Sequence, residues 1–261
     1  MSLVIIEIKD SIGTITLDHD EKRNALSFSL VEEILYGLGA LEKKGARVAI
    51  LRARSGSKVW SAGHNVVDLP PKGKDPLTEE DPLRRLISRI KKADFPVIAM
   101  VEGGVFGGAN EVVAACDIVI AADNASFRFT PARMGVPYDQ VGLLTMINAV
   151  GLRTAKEMVF TAKSFDSKWA QEHGLVSRVV SLSSLEEETY EEAKIIAKNA
   201  PIAIWAMKYT LNVHEEAQLL SLTSREVREI NFRRNAAYSS DDYEEGKCAF
   251  FEKRDPLFKG K

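Results

Sequence analysis

The stretch Val101–Val113, VEGGVFGGANEVV, decides how the rest of the chain is read. Ahead of it, Pro96-Val97-Ile98-Ala99-Met100 has the unbroken apolar character of a buried strand. Behind it, an apolar helix starts near Gly108 and carries Glu111 one turn in. Gly103, Gly104, Gly107 and Gly108 have no Cβ, so backbone there can approach a ligand closely. The first N–H groups of the helix lack partners within it and face whatever lies in front. Such a turn suits a developing oxyanion, with a carboxylate nearby. The same glycines equally suit a tight strand-to-helix connection. Neither G-x-G-x-x-G nor Gly-Lys-Ser/Thr spacing is present, so a phosphate-binding turn is not indicated.

Working outward, Val4–Ile8 and Gly13–Leu17 read as two strands joined by a turn at Lys9-Asp10-Ser11. Ser27 is placed to cap a helix with apolar positions at Leu30, Val31, Ile34, Leu35 and Leu38. Val48–Leu51 reads as a buried parallel strand, and Asp81-Pro82 as the start of a helix. Arg84, Arg85, Arg89, Lys91 and Lys92 read as the solvated face of that helix. The Pro/Gly/Lys-rich run Pro70–Pro76 reads as a mobile surface excursion. With Val97–Val101 and Ile118–Ala121 as further strands, the recurrence argues for βαβ units, a parallel sheet and an α/β fold. From Leu143 onwards helices dominate: 151–160, 167–173, 185–199, 202–219, 224–237 and a last one from Asp241, with one short strand at 175–180.

The 261 residues suit one large domain or a domain with a helical extension. A formal net charge of −2 and the lack of a dense Lys/Arg block give no reason to expect nucleic acid or an acidic membrane as partner. The two cysteines, Cys116 and Cys248, make neither a disulfide framework nor a zinc site. No apolar run approaches membrane-spanning length, and the N-terminus alternates like a strand, so a cytoplasmic protein is expected.

Several segments, in order, carry a resemblance. They are Lys22–Leu26, Trp60-Ser61-Ala62-Gly63-His64-Asn65, Gly103–Glu111, Cys116–Ala122, and Glu245-Gly246 with Ala249–Pro256. Together they resemble the crotonase (enoyl-CoA hydratase/isomerase) superfamily over nearly the whole chain. Within it, Ser55–His64, Asp75–Arg84, Thr130–Tyr138 and Asp242–Gly246 are similar to the subgroup that decarboxylates methylmalonyl-CoA. The resemblance implies a spiral of stacked ββα units over residues 1–200 and a C-terminal helical trimerisation region over 201–261. It also implies assembly as a trimer or a dimer of trimers.

The resemblance further implies an oxyanion hole built from the backbone N–H groups of His64 and Gly108. Lys22, Ala25, Ala62, Gly63, Asn65, Val66 and Val67 match the stretch with which relatives grip coenzyme A. Phe250 and Lys253 match a C-terminal pair presented to it, in some relatives across a subunit boundary. Asn65 stands where most of the family has Asp. Hydratases of the family hold water with two glutamates; Glu111 matches the first, whereas the second falls on Pro131, which cannot deprotonate water. Tyr138 is offered instead, as a neutral phenol able to hold a substrate carboxylate. Thr130 is a candidate for the acyl end. Glu111 is left with several roles open: orienting Thr130, orienting a water, or a remnant of hydratase chemistry. The expected reaction is decarboxylation of methylmalonyl-CoA or a close 2-alkylmalonyl-CoA through a thioester enolate, with no metal, biotin or other cofactor. The alternatives are a hydratase or isomerase using Glu111 with Asp139 or Tyr138, and a non-catalytic acyl-CoA-binding hexamer.

Overall fold

The computed structural model describes residues 2–75, 81–217 and 222–261. β1 (Val4–Lys9) and β2 (Ile12–Leu17) pair antiparallel, turning through Asp10 and Ser11, both at positive φ. The Ser27 hydroxyl accepts the Leu30 N–H at 3.3 Å and so starts α1 (Phe28–Lys43). Three repeats follow, each a pair of strands and then a helix. They are β3 (Val48–Ala53), β4 (Val59–Ser61) and α2 (Pro82–Lys91); β5 (Val97–Val101), β6 (Gly104–Phe106) and α3 (Ala109–Ala115); and β7 (Ile118–Ala122), β8 (Ser126–Arg128) and α4 (Gln140–Thr161). β9 (Ser164–Asp166), α5 (Ser167–Glu172), β10 (Arg178–Val180) and α6 (Leu185–Lys198) complete this part.

The repeats feed two sheets. The first strand of each joins a six-stranded sheet ordered β1-β2-β3-β5-β7-β10, parallel from β2 onwards. The second joins a four-stranded sheet ordered β4-β6-β8-β9. The stacked ββα architecture and the parallel sheet are therefore as expected. The strands of the smaller sheet are three residues each, too short to announce themselves by periodicity, and were not anticipated. One large core unites Leu30, Ile34, Leu38 and Leu41 of α1 with Leu86 and Ile90 of α2 and Val97 and Val101 of β5. On the other face, Leu185, Ala193 and Ile196 of α6 cover Ile50, Ile98 and Ile120.

The opening stretch divides into two jobs. At Gly103 (φ 72°) a Cβ would lie 2.5 Å from the Lys58 carbonyl oxygen, and at Gly104 it would meet the Phe106 ring. These two glycines let the chain cross between sheets rather than admit a ligand. Only Gly107 and Gly108 border the site described below.

α4 begins at Gln140 and bends at Gly151 (φ 76°, ψ 155°), so the helix expected from residue 151 is its second half. The strand expected over 175–180 shortens to β10. α7 (Pro201–Ala217), α8 (Ser224–Tyr238) and α9 (Asp241–Glu252) close the chain; Gln218 and Leu219, expected in α7, lie outside the described residues. Lys208 anchors α7 by donating to the Ile90 and Phe95 carbonyls at 2.9 Å and to Asp117 at 2.7 Å. α9 folds back onto the one-turn helix Pro131–Met134, and only a glycine at 246 allows the approach, since a Cβ would lie 2.4 Å from the Met134 backbone.

The excursion after Leu69 is not loose where it is described. Gly73 N–H donates to the Tyr238 carbonyl at 2.9 Å, Tyr243 donates to the Pro70 carbonyl at 2.8 Å, and Arg234 donates to Asp75 at 2.8 Å. Its last position, Pro76, lies outside the described residues.

Candidate active site

Two loops are locked together by a buried asparagine. Asn24, fully buried at φ 48°, receives the His19 N–H at 2.9 Å and donates to the Trp60 carbonyl at 3.0 Å. Ser61 donates to the Asn24 carbonyl at 2.7 Å, and Leu26 N–H donates to the Gly63 carbonyl at 2.8 Å. These bonds lay Lys22 and Ala25 alongside Ala62 and His64. A third segment crosses at Gly63 (φ 81°), where a Cβ would sit 2.4 Å from the Phe106 carbonyl oxygen and 2.9 Å from the Gly108 nitrogen. Glycine is required there for both reasons.

The segments border a cavity of about 1130 Å³. Of the residues singled out from sequence, Lys22, Ala25, Ala62, His64, Asn65, Val66, Val67, Gly108, Thr130, Pro131, Tyr138, Phe250 and Lys253 line it. Gly63 and Glu111 do not; Gly63 supports the crossing from behind. Phe250 and Lys253 reach the cavity of their own chain, because α9 folds back. Among the described residues, neither the His64 nor the Gly108 N–H has a protein acceptor.

Asn65 acquires a physical explanation. Its side-chain oxygen accepts the Val67 N–H at 3.4 Å, capping the turn Val66–Asp68, while its amide donates to Asp68 at 3.0 Å. An aspartate at this position would set two carboxylates against each other.

The His64 ring is not a loose surface group. Its Nε2 lies 3.0 Å from Asp81 Oδ2 and its Nδ1 lies 3.2 Å from the Asn65 carbonyl. Burial alone would lower its pKa, but the Asp81 bond and charge outweigh it and the net direction is upward. Asp81 also caps α2, its Oδ1 accepting the Leu83 N–H at 2.8 Å.

Beneath Tyr138 lies a buried network. Tyr138 Oη donates to Glu111 Oε2 at 2.5 Å, and Arg84 donates to the same oxygen. Arg84 Nε is 3.4 Å from Asp139 Oδ2, and its guanidinium lies over the Tyr138 ring at 5.8 Å. Phe129 packs edge-on against that ring at 4.8 Å. Glu111 is fully buried; desolvation pushes its pKa up, against the pull of Arg84. Burial, with Glu111 opposite, pushes the Tyr138 phenol well above its ordinary range. The phenol is therefore neutral.

This network corrects two expectations. Arg84 is not part of a solvated face: its side chain is 10% exposed and paired with Glu111, and Arg89 and Lys91 are likewise half-buried or deeper and paired with Glu42 and Glu215. A charge pattern counts residues on a face but not the depth of the groove beside it. Glu111 makes no hydrogen bond to Thr130; its partners are Arg84 and Tyr138, and through Tyr138 it reaches the cavity wall. Asp139, the other carboxylate considered, caps α4 through the Gly142 N–H at 2.7 Å and does not line the cavity. Arg84, Asp81 and Leu83 were missed as site residues, although they stand in the Asp75–Arg84 segment that carried the resemblance.

Residues 7–261 match the family model described as enoyl-CoA hydratase/isomerase. The chain belongs to that family. Among its curated relatives, the methylmalonyl-CoA decarboxylase of Escherichia coli K12 is 40% identical over 96% of this chain and 95% of its own length. The carnitinyl-CoA dehydratase of the same strain is 34% identical over 96% of each chain. A crystal structure of methylmalonyl-CoA decarboxylase complexed with 2S-carboxypropyl-CoA superposes with a TM-score of 0.97 at 39% identity, covering 100% of this chain and 99% of that one. Pro131 lines the cavity, and Glu111 stands behind Tyr138, which lines it too.

Proposed function

We propose that this protein decarboxylates methylmalonyl-CoA, or a close 2-alkylmalonyl-CoA, to the saturated acyl-CoA and CO2. One observation carries the reading. The unpaired His64 and Gly108 N–H groups stand beside a neutral phenol, which donates to Glu111, and Arg84 pairs with Glu111 and Asp139 behind it. The likeness to a methylmalonyl-CoA decarboxylase at 40% identity supports it.

The two N–H groups hold the thioester oxygen and stabilise the enolate that forms when the C–C bond to the carboxylate breaks; C2 then takes a proton from solvent to give the saturated acyl-CoA. Loss of one such donor in an unrelated hydrolase costs about 2.7–4 kcal/mol, which scales the contribution of the pair. Bond breaking requires the carboxylate roughly perpendicular to the thioester plane, so that its electrons flow into the enolate. Tyr138 holds it there, turning its single proton from Glu111 towards the substrate. Arg84 stays behind, between Glu111 and Asp139, and weakens the repulsion that these two carboxylates exert on a malonyl group. The chemistry calls on neither a metal nor biotin, because backbone donors meet the developing charge.

Lys22, Ala25, Ala62, Asn65, Val66 and Val67 grip the coenzyme A end, with Phe250 and Lys253 closing over it and Thr130 beside the acyl end. Ile202, Met207, Tyr209 and Leu211 of α7 and Phe232 of α8 are largely exposed, which supports burial of residues 201–261 between copies in a trimer or dimer of trimers. Among the described residues no helix is long and apolar enough to cross a membrane, and we place the enzyme in the cytoplasm.

The test is mass spectrometry of the purified protein with methylmalonyl-CoA, ethylmalonyl-CoA and crotonyl-CoA, each alone. CO2 loss from a malonyl thioester with crotonyl-CoA untouched supports the reading. Hydration of crotonyl-CoA with intact malonyl thioesters overturns it. Binding without turnover would leave only a scaffold.

A further inference from the structure

Leu83 is a buried residue that the mechanism does not use, yet it lines the cavity. The space over Gly108 fixes where it stands. A Cβ built on Gly108 would lie 2.7 Å from Leu83 Cδ2, 3.4 Å from Tyr138 Oη and 3.8 Å from the His64 nitrogen. A leucine methyl, the phenol and one donor of the proposed oxyanion hole thus surround the same small volume.

That volume is where the C2 substituents of a bound malonyl thioester must go. C2 is one bond from the carbonyl carbon whose oxygen the His64 and Gly108 N–H groups hold. Of the groups on C2, the carboxylate is served by the polar wall, Tyr138. Leu83 Cδ2 is the apolar atom nearest that volume and gives the alkyl group its wall.

The wall is not free to retreat. Asp81 accepts the Leu83 N–H at 2.8 Å and holds the His64 ring with its other oxygen. The neighbouring side chain, Arg84, is tied to Glu111 and Asp139. Leu83 itself is 1% exposed and belongs to the main core. We infer that Leu83 sets the upper size limit of the 2-alkyl group, an inference that rests on the decarboxylase reading of the same site.

The experiment compares kcat/KM for ethylmalonyl-CoA and methylmalonyl-CoA in the wild type, Leu83→Val and Leu83→Ala. The ratio within one preparation cancels any loss of active fraction through misfolding. Leu83→Ala is expected to raise the ethyl-to-methyl ratio about tenfold, the scale of one methylene in an apolar pocket, with Leu83→Val between. A ratio within twofold of the wild type in both variants, or a fall, overturns the inference while the decarboxylase reading stands. Should no form release CO2, that reading fails instead. The ratio of dissociation constants for butyryl-CoA and propionyl-CoA, measured by calorimetry across the same variants, then decides the role of Leu83 on the same criterion.

Discussion

The carboxylate of Asp81 holds the ring of His64, Oδ2 to Nε2, at 3.0 Å. The residue proposed to give one oxyanion donor through its backbone is therefore positioned through its side chain. Asp81→Asn keeps an α2 cap, since Asn caps as well as Asp, but removes the charge. The His64 midpoint, raised above 6.5 in the native protein, is expected to fall on this change. Because the folded midpoint is raised, the pair stabilises the fold fully below about 6.5 and loses that contribution as pH rises through the folded value. An NMR titration of His64 checks this, and an unmoved midpoint would show that Asp81 is only a cap.

Gly108→Ala tests the oxyanion hole. At φ −62°, ψ −15° the backbone accepts alanine, but the new methyl would lie 2.7 Å from Leu83 Cδ2, so the held leucine must be displaced. The methyl fills the volume between Leu83, Tyr138 and His64. The alanine N–H remains but access to it is blocked, so we expect decarboxylation to fall about a hundredfold or more, the scale of denying one donor to the thioester oxygen, with a lower melting temperature as Leu83 is displaced. Full activity in a folded variant would place the reaction elsewhere.

Tyr138→Phe keeps the ring packed on Phe129 and removes the hydroxyl. A hydrogen bond to a charged group is worth about 1.5–3 kcal/mol, so kcat/KM for methylmalonyl-CoA should drop roughly ten- to a hundredfold. Unchanged decarboxylation would remove Tyr138 from the mechanism.

Arg84→Met leaves Glu111 buried without its cation. Breaking a buried pair by removing one partner costs about 3–5 kcal/mol, and denaturation at neutral pH should show a loss on that scale. Glu111 is already raised above 4.5 by burial, against Arg84, and removing Arg84 raises it further. For a carboxyl group raised in the folded state, stability is fully present below the unfolded pKa and declines as pH rises through the folded one. The deficit of the variant should therefore shrink as pH falls towards 4.5. Adding Glu111→Gln should recover much of the loss at neutral pH. A deficit independent of pH would mean that Arg84 acts through packing alone.

Much of the fold was legible because long patterns fixed it. The β1–β2 alternation, the Ser27 cap and the apolar runs of β3, β5 and β7 each state their own environment. β4, β6, β8 and β9 were not legible, since three residues form no period and what makes them strands is their neighbours in the smaller sheet. At the site, His64, Gly108 and Tyr138 stood in motifs and do share one cavity. The misreading of Arg84 has a definite cause. Its buried face is created by α3 and by the segment between Tyr138 and Gln140, which lie 27 and 54 or more residues further along the chain. Whether a helix charge meets solvent or a distant carboxylate is a property of packing.

The return of α9 has a consequence for synthesis. The floor of the cavity, from Lys22 to Tyr138, leaves the ribosome long before Phe250, Lys253 and Pro256, which form its far wall. A nascent chain therefore carries the two unpaired N–H groups over a groove still open on one side. The proposed grip on a thioester is completed only when the chain has been translated through Pro256 and α9 has settled on Met134 at Gly246.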